Sequence, residues 1–168
     1  RYQKKVVTSE FIFPIQICLI RKRSEFEIIK IIGSGTFGNV TLVTDKTNNN
    51  QVVYKVIPKI GEKEKEVLSS INFPSIAPLY GFIEPDEEKK ESAILFPYAV
   101  NSDLDTMIKK EIQNKAPPEW DYTQKCITIY GIARGMHMLH SHGISHQDLK
   151  PTNILLNDEF EPWITDIG

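Results

Sequence analysis

Asp148, Lys150 and Asn153 share one short stretch, His146-Gln147-Asp148-Leu149-Lys150-Pro151-Thr152-Asn153. A carboxylate there can orient or deprotonate a hydroxyl. An ammonium two residues on can stabilise a phosphoryl group as it moves, and an amide oxygen can ligate Mg2+. A phosphoryl-transfer site needs these three chemistries close together. A polar loop after a helix would hold the same residue types, so the string alone decides little.

A second string, Gly33-Ser34-Gly35-Thr36-Phe37-Gly38-Asn39-Val40, lies upstream. Similar glycine spacing opens the dinucleotide-binding fold, where a helix follows the glycines and its N-terminus holds the pyrophosphate. Here Phe26-Glu27-Ile28-Ile29-Lys30-Ile31-Ile32 precedes the glycines and Val40-Thr41-Leu42-Val43-Thr44, rich in β-branched residues, follows them. That order predicts strand, glycine loop, strand. The tip of such a hairpin can fold over phosphates, with backbone N–H groups left open by the glycines and Phe37 capping the turn.

In Val52-Val53-Tyr54-Lys55-Val56-Ile57 a single lysine is enclosed by what reads as a buried strand. An ammonium there is costly unless paired; the alternative is an edge lysine that reaches solvent. Residues 61–71 predict a short helix on which Glu64, Val67, Leu68 and Ile71 share one face. Glu62 and Glu66 fall on its solvated side. Glu64 is therefore the expected partner of Lys55, against the plainer reading that all three glutamates merely solubilise the helix.

The remaining elements follow from pattern. Residues 76–82 and 92–96 read as two further strands, separated by the charged turn 84–91, and complete a five-stranded antiparallel sheet. Asp103 opens a short helix through Lys110. Cys126, Ile129, Tyr130, Ala133, Met136 and His137 recur at three and four residues and predict a helix over 121–142, stopped by Gly143. Ile154-Leu155-Leu156 and Trp163-Ile164-Thr165 are short apolar segments around a turn, leading into Asp166-Ile167-Gly168.

Taken in order over residues 26–168, these segments resemble the eukaryotic protein kinases of serine/threonine (tyrosine-kinase-like or related) type. Residues 146–153 resemble the catalytic loop His-Arg-Asp-Leu-Lys-x-x-Asn, with Gln147 in place of arginine. The glycine string matches Gly-x-Gly-x-x-Gly-x-Val, and Lys55 stands as in Val-Ala-Ile-Lys, with Val53 in place of alanine. Asp166-Ile167-Gly168 resembles Asp-Phe-Gly, with isoleucine for the ring.

The resemblance implies an α+β fold in three parts. Residues 25–97 would be a small lobe, a five-stranded antiparallel sheet with one helix. Residues 98–168 would be the first part of a mainly helical large lobe. Residues 1–24 would be an extension that packs on the small lobe or links to something upstream. The chain starts at Arg1 and stops at Gly168, where a domain of this family would continue, so it reads as a fragment expected to lack turnover alone.

The same resemblance implies ATP and Mg2+ as cofactors and assigns roles. Asp148 and Lys150 are the implied catalytic residues, with Lys55, paired to Glu64, fixing the α- and β-phosphates. Gly33, Ser34, Gly35, Thr36, Phe37, Gly38 and Val40 would cover the nucleotide. Val53, at the roof of the adenine pocket, and Leu155 would be further contacts. Phe96 would guard a back pocket, Pro97 would offer its carbonyl and Ala99 its N–H to adenine, and Asp103 would reach the ribose. Asn153 and Asp166 would hold the metal. Lys150 is the serine/threonine pattern, so the implied partners are proteins with serine or threonine hydroxyls. The rival reading is a pseudokinase-like scaffold that binds nucleotide without turnover, or an inactive truncated kinase.

Composition sets bounds. Hydrophobic residues make up 40% of the chain, charged residues 25%, and the net charge is −2. That gives no basic excess to argue for nucleic acid or an anionic membrane. Cys18 and Cys126, far apart, suggest reduced thiols and a cytoplasmic setting. The longest apolar run, residues 11–20, is too short to span a bilayer and is broken by Pro14 and Gln16. His137, His140, His142 and His146 lie close together, but no cysteine pair or His-Glu-x-x-His accompanies them. Ordinary helix-end histidines are the reading preferred over a zinc cluster.

Overall fold

The computed structural model describes residues 20–35 and 38–167, without the side chains of residues 35, 38, 63, 64, 66 and 67. Among the described residues, eight strands and three α-helices follow in chain order. Strands β2 (Phe26–Gly35) and β3 (Gly38–Asp45) form the expected hairpin, with Gly33 opposite Val40 and Gly35 opposite Gly38. Strands β4 (Gln51–Ile57), β5 (Gly81–Ile83) and β6 (Ser92–Pro97) complete five antiparallel strands.

A sixth strand joins them. The two-residue β1 (Ile20–Arg21) comes from the N-terminal extension and pairs in parallel with β5, giving the order β1-β5-β6-β4-β3-β2. Arg21 pins it there. Its guanidinium bonds to the carboxylate of Asp45, 2.9 Å away, and lies over the rings of Phe26 and Tyr80. Asp45 is fully buried and also accepts from the Tyr80 hydroxyl and from Thr47, both at 2.6 Å. Burial opposes its ionisation, yet the hydrogen bonds from Thr47, Tyr80 and Arg21 outweigh burial and hold the carboxyl down at about 2. A buried carboxylate in such a net is costly to leave unpaired, so the extension belongs to the lobe from residue 20 onward.

The strand expected over 76–82 is shorter and begins later. Ser75 takes φ +69°, and Pro78 cannot donate to a ladder. Residues 75–77 pair elsewhere: Ile164 N–H donates to Ser75 O (2.8 Å), and Ala77 N–H donates to Ile164 O (3.0 Å). This segment therefore ties the sheet domain to the C-terminal half.

The sheet packs on both faces. Val43, Val52, Tyr54, Ala93 and Leu95 form one core with Phe26 and Ile83. Ile60, Phe82 and Ile94 form the other, against Leu68 of helix α1 (Glu62–Ser70). Helix α2 (Leu104–Ile112) is capped by Asp103, whose carboxylate accepts from Thr106 N–H at 2.8 Å.

Helix α3 (Tyr122–Ser141) ends as its sequence predicts. Gly143 takes φ +73°, its N–H bonds to His140 O (3.0 Å), and Ile144 N–H bonds to Leu139 O (2.9 Å). This paired 5→2 and 6→1 closure is one that only a left-handed residue completes, and Ile144 packs with Leu139 beneath it. The face that α3 buries is not the stripe read from its sequence. Cys126, Ile129, Tyr130, Ala133 and His137 are exposed, with Ile129 at 67%. Thr128, Gly131, Gly135 and Leu139 are buried instead. A Cβ on Gly131 would sit 2.5 Å from Pro162 Cγ, and one on Gly135 would sit 2.8 Å from Ile164 Cδ1. The glycines let the helix lie directly on the hairpin of β7 (Ile154–Leu156) and β8 (Pro162–Ile164), which pair as Ile154 with Ile164.

Candidate active site

Register puts the upper half of the site on one surface. Val40 is opposite Lys55, and Val53 is opposite Phe96. Cross-strand partners, and residues two apart on a strand, point to the same face. Val40, Val53, Lys55 and Phe96 therefore share a face under the glycine hairpin. Thr36 and Phe37 lie outside the described residues. Phe96, Leu68, Ile71, Ile94, Lys55 and Asp166 border a cavity of about 160 Å³.

β6 ends at Pro97, and the chain then passes the buried Ala99 and doubles back along β7. Asn101 N–H donates to Leu156 O (3.2 Å), Leu156 N–H donates to Ser102 O (2.8 Å), and Asp103 bridges Leu155. Asp103 and Leu155 are thus neighbours. The sequence reading missed how the Asp103 carboxylate is used. One oxygen caps α2, and the other accepts from Thr106 Oγ1 (3.0 Å) and Ser102 Oγ (3.3 Å). The signal was present in Asp103-x-x-Thr106, an N-cap spacing.

The lower half is held by His146, which is 1% exposed. Its Nε2 lies 2.8 Å from Thr165 O. A carbonyl only accepts, so Nε2 carries the proton and Nδ1 is left to accept from Asp148 N–H at 3.4 Å. Gln147 takes φ +63°, which turns the chain tightly enough for Asp148 N–H to reach His146 O (2.8 Å). Thr165 N–H donates to Asn153 O (2.9 Å), so the loop is stitched to the residue just before Asp166. Asp166 also has positive φ, +54°. Left-handed backbone at non-glycine residues is uncommon, and two cases meet at this spot.

The reactive groups converge within that frame. Lys150 Nζ donates to Asp148 Oδ2 at 2.6 Å, and Asn153 Nδ2 donates to the same oxygen at 3.1 Å and to Asp148 O at 2.9 Å. The Lys150 ammonium, with help from Asn153, holds the Asp148 carboxyl below its usual range. It is ionised at neutral pH. With its nitrogen committed to Asp148, the Asn153 amide has its oxygen left as a ligand. That oxygen and the half-exposed Asp166 carboxylate are hard donors, which fits Mg2+. Lys55 Nζ forms a direct ion pair with Asp166 Oδ1. The expected Lys55–Glu64 pair rests on a side chain outside the described residues, and the described carboxylate beside Lys55 is Asp166.

A match to the protein kinase domain family covers residues 26–168. This chain belongs to the protein kinase domain family. It is 31% identical to ribosomal protein S6 kinase 2 alpha of Gallus gallus over 86% of the chain and 20% of that protein. It is 32% identical to 3-phosphoinositide-dependent protein kinase 1 of Homo sapiens over 88% of the chain and 27% of that protein. With the cAMP-dependent protein kinase catalytic subunit of Dictyostelium discoideum it shares 27% identity over 95% of the chain and 25% of that protein. The chain thus spans about a fifth to a quarter of the length of these relatives. The family match begins at Phe26, just after the Arg21 anchor. Among the described residues no helix is long and apolar enough to cross a membrane.

Proposed function

We propose that this chain carries the nucleotide site and catalytic loop of an ATP-dependent protein serine/threonine kinase, transferring the γ-phosphoryl group of ATP to serine or threonine hydroxyls of protein substrates in the cytoplasm. The observation that carries this reading is the cluster at Asp148. The ammonium of Lys150 and the amide of Asn153 share one oxygen of the ionised carboxylate there, and Asn153 O accepts from Thr165 N–H, beside the Asp166 that pairs with Lys55. Asp148 accepts the proton of the attacking hydroxyl or orients it, and Lys150 moves from Asp148 to the phosphoryl oxygens as negative charge shifts. Lys55 holds the α- and β-phosphates, partnered by Glu64. Val40, Val53, Phe96 and Leu155 enclose the adenine, Pro97 and Ala99 meet its edge, and Gly33 to Gly38 close over the phosphates. Asp103 serves the ribose if its capping bonds are shared. Asn153 and Asp166 would hold Mg2+, which neutralises phosphate charge when bound.

Transfer of labelled γ-phosphate from Mg-ATP to serine- and threonine-containing peptides by the full-length protein tests this. Label on seryl or threonyl residues, lost in Asp148→Asn, is the expected result. Saturable nucleotide binding without transfer would overturn it in favour of the scaffold reading.

A further inference from the structure

Helix α1 begins with the alternating run Glu62-Lys63-Glu64-Lys65-Glu66, a pattern ordinarily solvated on all sides. Lys65 departs from it. It is 8% exposed, and its Nζ donates to Glu62 Oε1 (2.8 Å) and to Glu84 Oε1 (2.5 Å). Glu62 lies one turn back on the same helix. Glu84 is the residue that follows β5, so this contact crosses from helix to sheet. The Lys65 ammonium is held in its charged form, chiefly by the bonds to Glu62 and Glu84, against the opposing effect of burial.

Glu84 and Glu62 are themselves exposed, at 44% and 88%, so solvent screens these pairs and they add little stability. A charge pair anchored at its buried end is better suited to specifying one arrangement among several. Helix α1 needs such a device. It has nine residues, too few to be stable alone, and Leu68 is its described apolar contact with the sheet core. Apolar contact permits sliding and rotation, whereas an ammonium fixed to a carboxylate at the end of β5 does not. Successive helical residues are about 100° apart, so fixing the helix at residue 65 fixes the rotation of the whole of α1 on the sheet.

We propose that Lys65 is a positioning residue: its bond to Glu84 sets the rotation of α1 on the sheet and thereby the presentation of Glu64 to Lys55. This rests on the kinase reading above, in which Glu64 partners Lys55. The latch lies outside the nucleotide site and acts only through the helix.

The test uses the full-length protein, with Lys65→Met, Lys65→Arg and Glu84→Gln made both in the native background and in Glu64→Gln. Turnover, KM for ATP and melting temperature are measured for each. Lys65→Met and Glu84→Gln should each lower kcat/KM for ATP by about ten-fold, a normal size for coupling between groups in one network. Lys65→Arg should retain most of the activity. In the Glu64→Gln background the same changes should have no further effect on kcat/KM, although any shift in melting remains. Equal losses in both backgrounds, or no loss in the native one, would overturn the proposal and leave Lys65 a structural residue. Lys55→Met serves as the reference. If it kills transfer while the Lys65 and Glu84 variants do not, only the latch fails; if it leaves transfer intact, the site reading falls and the latch with it.

Discussion

Lys55 on β4 and Asp166, 111 positions later in the chain, form a direct ion pair that joins the sheet to the C-terminal half. Both side chains remain partly exposed, at 31% and 49%, so solvent screens the pair and its contribution to stability is small. Its meaning is positional. A cation suited to phosphate and a carboxylate suited to Mg2+ are already in contact, and a bound nucleotide with its metal would separate them.

Exchange at two aspartates should divide binding from chemistry. Asp166→Asn removes a charged metal ligand and should weaken Mg-ATP binding measured by calorimetry. Asp148→Asn should leave nucleotide affinity nearly unchanged while lowering turnover of the full-length protein by about two to four orders of magnitude. Full turnover in Asp148→Asn would mean the catalytic loop is wrongly assigned.

Gln147 is exposed and neutral in the position where the family pattern has arginine. An amide cannot neutralise a phosphate through charge-assisted bonds. Phosphatase treatment of the full-length protein should therefore leave its activity in place. Loss of activity that returns only on rephosphorylation of an activation loop would contradict this.

The contact of α3 with β8 predicts a steric coupling. Gly131→Ala drives a methyl group to 2.5 Å from Pro162 Cγ and 3.0 Å from its Cδ. Overpacking of this kind costs ~1–3 kcal/mol and should lower the melting temperature by several degrees. Pro162→Ala removes both offending atoms. The double variant should then melt above the sum of the two single effects, and simple additivity would place the clash elsewhere.

Asp45 predicts an acid limb. Its carboxyl is held at about 2 in the folded chain against an ordinary 3.8. A depressed pKa contributes stability that is complete above pH 4 and fades as pH falls through 2, because the unfolded chain takes up the proton first. The contribution is roughly 2 kcal/mol. Urea unfolding of the native protein should weaken by that amount between about pH 4 and pH 2, and Asp45→Asn should lack this step. Parallel pH curves for the two proteins would rule Asp45 out as its source. Removing residues 1–25 should also destabilise the lobe, since it strips Arg21 from a buried carboxylate, and the same unfolding assay at neutral pH reads that loss.

Much of the site was legible because its parts are local. Asp148, Lys150 and Asn153 stand in one loop, so their spacing alone brings them together. The hairpin at Gly33–Gly38 and the stop at Gly143 follow from backbone preferences that each residue carries with it. Periodicity found α3 but not the face it buries, because the strongest apolar stripe remains exposed while two glycines accept the hairpin. Nor did it find Lys65, which a charge pattern assigns to solvent. Arg21 joins the lobe where Asp45 and Tyr80 meet it, and Lys55 reaches Asp166 because residues 75–77 dock on β8 and the catalytic loop holds Thr165. Preferences within an element depend on a residue and its near neighbours, and these were written in the chain. Which face is buried, and which charge meets which, depends on the surface brought opposite, and folding alone supplies that surface.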